Sequence, residues 1–424
     1  MNNRMVASAA LPALSLRVNF GWTLAGTVLY AACQWAMLSV LAKLTSPEEV
    51  GHFALGLAVA GPIFILSGLQ LRAIQATDAR GAVRFSDYLA VRIAGSALGC
   101  CATLAIAVLG RFPYAGRIVL VGMAVAKSVE SLSDVLYGLF QQRERMDRIA
   151  HSLAMRGMFA LALLAAGVWL GRTAAWGVLG IIIAWTAVLV LQDLPGRAMD
   201  RSRAPDLRTR NERARDRRRV VMTGLPLGIV LLLVSLNFNI PRYFLQASRG
   251  ERELGIFAAL ASTVTAGLVV VNALGQSASP RLARLAVESD RAGFVALLWK
   301  LLATGTAIGV AGVLAAIFIG RDVVALLFTA EYAAHQTALV ALMIGAAFGF
   351  VASFLGYAMT ALRAFRVQVP LFVPTCAITA IWASLDVPRA GVLGAARAMI
   401  ASAIVQLIGS AIVVARRLPE ARSR

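Results

Sequence analysis

The chain has 424 residues, 59% of them hydrophobic and only 15% charged, and its mean hydropathy is +0.76. A soluble domain carries roughly 45–50% apolar and about 25% charged residues, so this composition excludes a water-soluble protein and requires an integral membrane one. The formal charge of +20 is almost wholly arginine, with Lys43, Lys127 and Lys300 the only lysines. It sits between apolar runs, which points to orientation in a bilayer rather than to nucleic acid.

A spanning helix takes about 20 residues. The apolar runs predict twelve spans: 18–43, 50–73, 86–110, 115–141, 149–171, 174–194, 220–246, 253–279, 292–320, 333–362, 366–386 and 391–417. Residues 1–17 make a poor signal peptide, because their apolar part is short and flows into the first span. Span one holds no Asp or Glu between Asn19 and Thr45. Span two closes on Gln70 and Arg72 near its mouth. Arg72 either snorkels to the interface or meets an anionic head group, whose oxygens a guanidinium fork matches. Span three carries Arg92 and span five Arg156, at about the depth of Asp134 in span four. Span four places Lys127, Glu130 and Asp134 at spacings of three and four, which is one helix face. An ionisable group left unpaired in lipid costs several kcal/mol, so each is a site candidate. Two readings of this charge cluster stand side by side. It faces a cavity, where it binds a cation or proton or positions a head group; or it is a self-satisfied ion-pair face, with Arg92 and Arg156 neutralising Asp134.

The hydrophilic stretch 195–219 follows, with ten arginines, and reads as a cytoplasmic linker. In span seven Asn237, Asn239 and Arg242 surround Pro241, which frees a backbone carbonyl and bends the helix. That suits either a hydrated cavity or an interfacial arginine beside packing asparagines. Residues 321–332 are too short to span and read as an interfacial helical turn. Lys300 and Arg397 read as structural, and Asn19, Asn272 and Gln276 as helix-packing amides that can also touch sugars. Seven basic residues in or near the spans (Arg72, Arg92, Lys127, Arg156, Arg242, Lys300, Arg397) face two acids, Glu130 and Asp134. An anionic cargo fits this balance better than an organic cation.

Several chemistries find no residues to carry them. Cys33, Cys100, Cys101 and Cys376 lie inside apolar runs without a C-x-x-C pair, so neither a disulfide framework nor a metal site is expected. His52, His151 and His335 fall near run ends, against paired haem ligands. No lysine follows a glycine, so there is no P-loop, and no cofactor is expected. The connections are short and hold no catalytic constellation, which argues against an enzyme.

With the N-terminus in the cytoplasm, inside segments hold 27 Lys and Arg against 9 outside, with five more in the spans. The positive-inside rule then puts both termini in the cytoplasm. Glu49-Val50-Gly51-His52-Phe53-Ala54 opens span two and Glu253-Leu254-Gly255-Ile256-Phe257-Ala258 opens span eight, 204 residues later. The predicted fold is therefore an all-α integral membrane protein, with about twelve transmembrane helices in two six-helix lobes related by a pseudo-two-fold axis along the membrane normal. The divisions are a cytoplasmic segment 1–17, lobes 18–194 and 220–417, the linker 195–219 and a tail 418–424.

Five segments carry a resemblance: NFGWTLAGTVLYAACQWAMLSVLAKLTSPEEVGHFALGLAVAGPIF (19–64), GLQLRAIQATDA (68–79), LFQQRERMDRIAHSLAMRG (139–157), LNFNIPRYFLQ (236–246) and ALGQSASPRLARLA (273–286). In that order they resemble bacterial O-antigen and exopolysaccharide flippases of the multidrug/oligosaccharidyl-lipid/polysaccharide superfamily. The resemblance implies alternating access and translocation of an undecaprenyl-pyrophosphate-linked oligosaccharide across the bacterial inner membrane, for surface polysaccharide biosynthesis. Its implied partners are the polyprenyl-pyrophosphate-linked glycan, the lipid bilayer, and a polysaccharide polymerase with chain-length machinery; no nucleic acid is involved. The alternatives are a small-molecule or drug antiporter of the same superfamily, or a membrane glycan polymerase or ligase.

Overall fold

The computed structural model describes residues 16–78, 82–199, 208–364 and 367–418. The expectations for 1–15, for 200–207 of the linker, for Arg80 and Arg366, and for 419–424 lie outside the described residues. Twelve long helices run α1 (Leu16–Leu44), α2 (Pro47–Gly68), α3 (Phe85–Leu109), α4 (Tyr114–Gln142), α5 (Met146–Gly171) and α6 (Ala174–Val188) in the first lobe. The second lobe holds α7 (Arg210–Arg249), α8 (Glu251–Val287), α9 (Arg291–Phe318), α10 (Gln336–Ala361), α11 (Gln368–Ala390) and α12 (Val392–Arg417). Eleven helices among the described residues are long and apolar enough to cross a membrane. The remaining long helix, α4, carries Lys127, Glu130 and Asp134 in its middle. The protein is a multi-pass membrane protein of two six-helix lobes. With twelve alternating helices, the start of α1 and the end of α12 lie on one side, the terminal face.

Three boundaries differ from the sequence expectation. Span two is interrupted: α2 stops at Gly68, Leu69 and Gln70 adopt left-handed backbone (φ 49° and 50°), and a separate short helix runs Leu71–Thr77. The second half of the presumed linker is helical, so α7 starts at Arg210. Thr209 caps it by accepting from the Glu212 amide, while Glu212 reaches back to the Thr209 amide at 2.7 Å. That reciprocal cap satisfies amides an isolated arginine run would leave to water. Finally, α6 ends in a π-helical turn, Leu189–Asp193, that leaves Asp193 fully buried. The turn expected at 321–332 is present as the short helices Gly320–Leu327 and Ala330–Ala333.

The hexapeptide repeat has one structural job in both lobes. Glu49 Oε2 accepts from the Ala174 amide (2.6 Å) at the start of α6, and Glu253 Oε2 accepts from the Val392 amide (3.1 Å) at the start of α12. Each carboxylate satisfies a helix N-terminus and sits at its positive dipole end. Two residues on, Gly51 and Gly255 carry the crossing of α2 over α8. A Cβ built on Gly51 would lie 2.0 Å from the Glu251 carbonyl oxygen, and one on Gly255 would lie 1.9 Å from that of Pro47. Only glycine lets the two backbones approach this closely.

The crossing joins the lobes at the face opposite the termini. Arg252 of α8 bridges Glu48 of α2 (3.1 Å) and Glu331, while Ser39 of α1 donates to the Leu327 carbonyl. One apolar core runs through both lobes there, from Met37, Leu41 and Phe53 to Phe257, Tyr332 and Leu339. Toward the terminal face the core splits. One cluster holds Leu71, Phe85, Leu136 and Phe140 with Val220 of α7, and a separate one holds Leu282, Phe294, Phe354 and Leu371. The lobes thus form a V, closed at the opposite face.

Candidate functional site: two basic half-cavities between the lobes

The first half-cavity lies in the first lobe and is lined by Gly61, Gln70, Arg92, Lys127, Glu130 and Asp134 among others. The α2 break positions its mouth. Turning the chain at Leu69–Gln70 points Gln70 into the cavity and lays Arg72 against α4 instead of letting it snorkel. Arg72 Nε donates to Gln141 Oε1 (3.1 Å), its guanidinium lies 5.5 Å from the Tyr137 ring centre, and one terminal nitrogen is 3.9 Å from Asp134. Arg92, 4% exposed, donates to Asp134 Oδ2 at 2.7 Å, and Lys127 Nζ donates to Glu130 Oε2 at 2.7 Å. Arg72 and Arg92 therefore share one carboxylate. Arg72, Arg92 and Lys127 against Glu130 and Asp134 leave this wall one positive charge in excess.

Arg156 corrects the sequence expectation, because it does not neutralise Asp134. It is buried behind the cavity, 4.6 Å from the Trp185 ring centre, and donates to the Tyr137 hydroxyl at 3.3 Å. Tyr137 in turn pairs with Ser152 at 2.6 Å. The Trp185 ring and the Tyr137 hydroxyl are its direct contacts, and its Nε and Nη2 are buried without a hydrogen bond.

The second half-cavity lies between α7, α8, α10 and α12 and is lined by Asn237, Arg242, Phe257, Phe350, Ser353 and Gln406 among others. Its wall is mostly apolar. Asn237 Oδ1 accepts from Thr379 (2.8 Å) and Ser402 (2.9 Å), so this amide ties α7 to α11 and α12 while lining the cavity. Asn239 donates to the Ser235 carbonyl (2.8 Å) and accepts from Arg242 Nη1 (3.0 Å). Arg242 Nε is buried without a partner. Among the described residues no carboxylate forms an ion pair with it. Arg72 thus has a carboxylate within reach, while the acceptor that Arg242 meets is a neutral amide.

A Cβ on Gly61 or on Gly349 would meet nothing within 4 Å, so each cavity wall faces open space at these positions. The weaker candidates sit elsewhere. Lys300 is exposed on α9, Arg397 is 3.4 Å from Asp386, Asn19 accepts from the Met146 amide, and Tyr357 approaches Asn272 at 3.5 Å. Sequence reasoning missed Tyr137, Gln141 and Gln406. A signal existed for the first two: Asp134, Tyr137 and Gln141 continue the spacing of three and four that begins at Lys127. No group of three or more metal-ligating side chains occurs among the described residues.

The arrangement suits holding an anion between two basic walls. Comparison with known proteins bears on this. A family described as polysaccharide biosynthesis protein matches residues 16–286. The capsular polysaccharide biosynthesis protein CapF of Staphylococcus aureus is 25% identical over 391 residues, covering 92% of this chain and 97% of CapF. Two similar solved structures are the lipid II flippase MurJ in an inward closed conformation (TM-score 0.68, 12% identity, 95% of this chain and 90% of that one) and the MATE transporter VcmN of Vibrio cholerae (TM-score 0.63, 14% identity, 96% and 97%). At these identities the structural matches establish a shared fold.

Proposed function

Because the chain belongs to the polysaccharide biosynthesis protein family, we propose that it is a flippase that moves a polyprenyl-pyrophosphate-linked oligosaccharide across the bacterial inner membrane by alternating access. The arginine asymmetry supports a cytoplasmic terminal face, so the V opens inward in this state. The observation that carries the reading is the excess positive charge lining a closed-ended cavity. Arg72, Arg92 and Lys127 outnumber Glu130 and Asp134, and Arg242 stands without a carboxylate. A pyrophosphate entering from the inner leaflet meets Arg72 and Gln70 first, then Arg92 and Lys127. Asn237 and Arg242 line the opposing wall, with Asn239 bonded to Arg242.

The same balance weighs against export of organic cations, which need unpaired carboxylates in the cavity. The names of CapF and of the lipid II flippase are consistent with a lipid-linked glycan as cargo. The test is to remove the protein and follow lipid-linked sugars. A flippase loss traps the glycan in the inner leaflet. Accumulation in the outer leaflet indicates a polymerase or ligase instead, and an unchanged pool indicates a drug exporter.

A further inference from the structure

We infer that Arg242 reads the sugar portion of the cargo rather than its pyrophosphate, and that the cargo is an acidic glycan whose carboxylate or other anionic substituent occupies the second half-cavity. This rests on the flippase reading above.

Depth separates the two basic sites. Arg72 lies beyond the end of α2, at the terminal-face mouth. Arg242 lies seven residues from the other end of α7, about 10 Å along the helix axis from the closed face. In a V that opens inward, the lipid tail stays in the inner leaflet and the pyrophosphate reaches no further than the first half-cavity. Only the glycan reaches the closed end, where the lobes are sealed by the Gly51–Gly255 crossing and the Glu48–Arg252–Glu331 bridge.

Charge then assigns the chemistry. The wall around Arg242 offers Phe257, Leu268, Phe350 and Met399, with neutral polar groups from Asn237, Ser353, Ser402 and Gln406. Asn237 already spends its carbonyl on Thr379 and Ser402, and Asn239 supplies the only hydrogen bond drawn to Arg242 among the described residues. Buried, unbonded guanidinium nitrogens also occur at Arg92 and Arg156, but Arg92 has Asp134 beside it and Arg156 lies packed behind its cavity. Arg242 instead lines an open cavity with no carboxylate paired to it among the described residues, so an occupant that brings an anion is favoured there. A carboxylate fits the planar fork, and neutral hydroxyls fit the amides beside it. The first half-cavity, with its own excess charge, holds the pyrophosphate independently.

The test uses full-length protein in proteoliposomes and two synthetic probes, polyprenyl pyrophosphates bearing either a glucuronic-acid-containing disaccharide or its glucose-containing counterpart. The native protein should move the uronate probe about tenfold faster or better, as one hydrogen-bonded charge pair allows. Arg242→Gln should collapse that ratio toward one, and Arg242→Lys should restore part of it. Residual movement of the glucose probe by Arg242→Gln verifies that the variant is folded. Equal rates for both probes with native protein, or an unchanged ratio in Arg242→Gln, overturn the inference while leaving the flippase reading intact. Movement of neither probe overturns the flippase reading and this inference with it.

Discussion

Asp134 is the residue on which the first half-cavity is balanced, since it serves Arg92 at 2.7 Å and Arg72 at 3.9 Å. Asp134→Asn would leave the buried Arg92 guanidinium without its counter-charge, and removing one partner of a buried pair costs about 3 kcal/mol or more. We expect a corresponding fall in stability in detergent unfolding, recovered largely by adding Arg92→Met. If the double variant is no more stable than the single one, the pair is not the source of the loss. Arg72 has a different role. Its acceptors lie on α4 and its edge faces the mouth, so Arg72→Gln should lower glycan export by about tenfold at normal membrane abundance. Lysine should restore export only in part, because it lacks the fork. Full export by Arg72→Ala would remove Arg72 from the binding wall. The residue scale was half legible in the sequence. The face Lys127–Glu130–Asp134 follows from spacing, and a buried charge demands a partner. Spacing does not say which arginine supplies it, and Arg156 took an aromatic seat at Trp185 that no local pattern announces.

At the scale of elements, the two copies of Glu-x-Gly-x-Phe-Ala turn sequence into gating geometry. Glu49 and Glu253 each fix the start of a lobe's last helix, and Gly51 and Gly255 set how closely α2 and α8 cross. A methyl group at either glycine meets a carbonyl oxygen of the other lobe, and overpacking of this kind costs about 1–3 kcal/mol. The penalty falls only on the state closed at the opposite face. Gly255→Ala should therefore shift the population toward the outward-open form by roughly 5- to 150-fold. Labelling of Gly61→Cys by an impermeant thiol reagent should become slower from the cytoplasm and faster from outside. Identical labelling with and without Gly255→Ala would contradict a gate at this crossing. The repeat was legible because both copies occupy equivalent positions. The interruption of α2 at Leu69–Gln70 was not, since Leu and Gln carry no signal for left-handed backbone. The early start of α7 was hidden by its arginines, although the cap Thr209–Glu212 has the recognisable spacing.

For the whole molecule, one shared core at the closed face and two separate cores at the open one allow the lobes to rock about their common end. Helix α7 spans the division. Its first turns are tied to the first lobe by Arg208 and Arg217 on buried Asp87 (2.6 and 3.0 Å), and its later turns to α11 through Asn237 and Thr379. Any rocking motion is therefore felt along this helix. The helical membrane fold and its two lobes were readable from the apolar runs and the internal repeat, because a bilayer demands long apolar helices. The tie of α7 to the first lobe was not, because it depends on a contact between residues 121 positions apart. Energy enters at this scale as well. A pyrophosphate is driven outward by an inside-negative potential worth about 2.3 kcal/mol per charge per 100 mV, and Glu130 is already paired with Lys127. The most direct measurement is therefore flipping of a labelled polyprenyl-pyrophosphate oligosaccharide in proteoliposomes, at equal pH and equal sodium on both sides, with and without an imposed inside-negative potential. The account predicts protein-dependent flipping that the potential accelerates, and a Glu130→Gln variant that loses no more transport than it loses folded protein. Flipping driven only by a proton or sodium gradient, and abolished by Glu130→Gln in a stable protein, would contradict it.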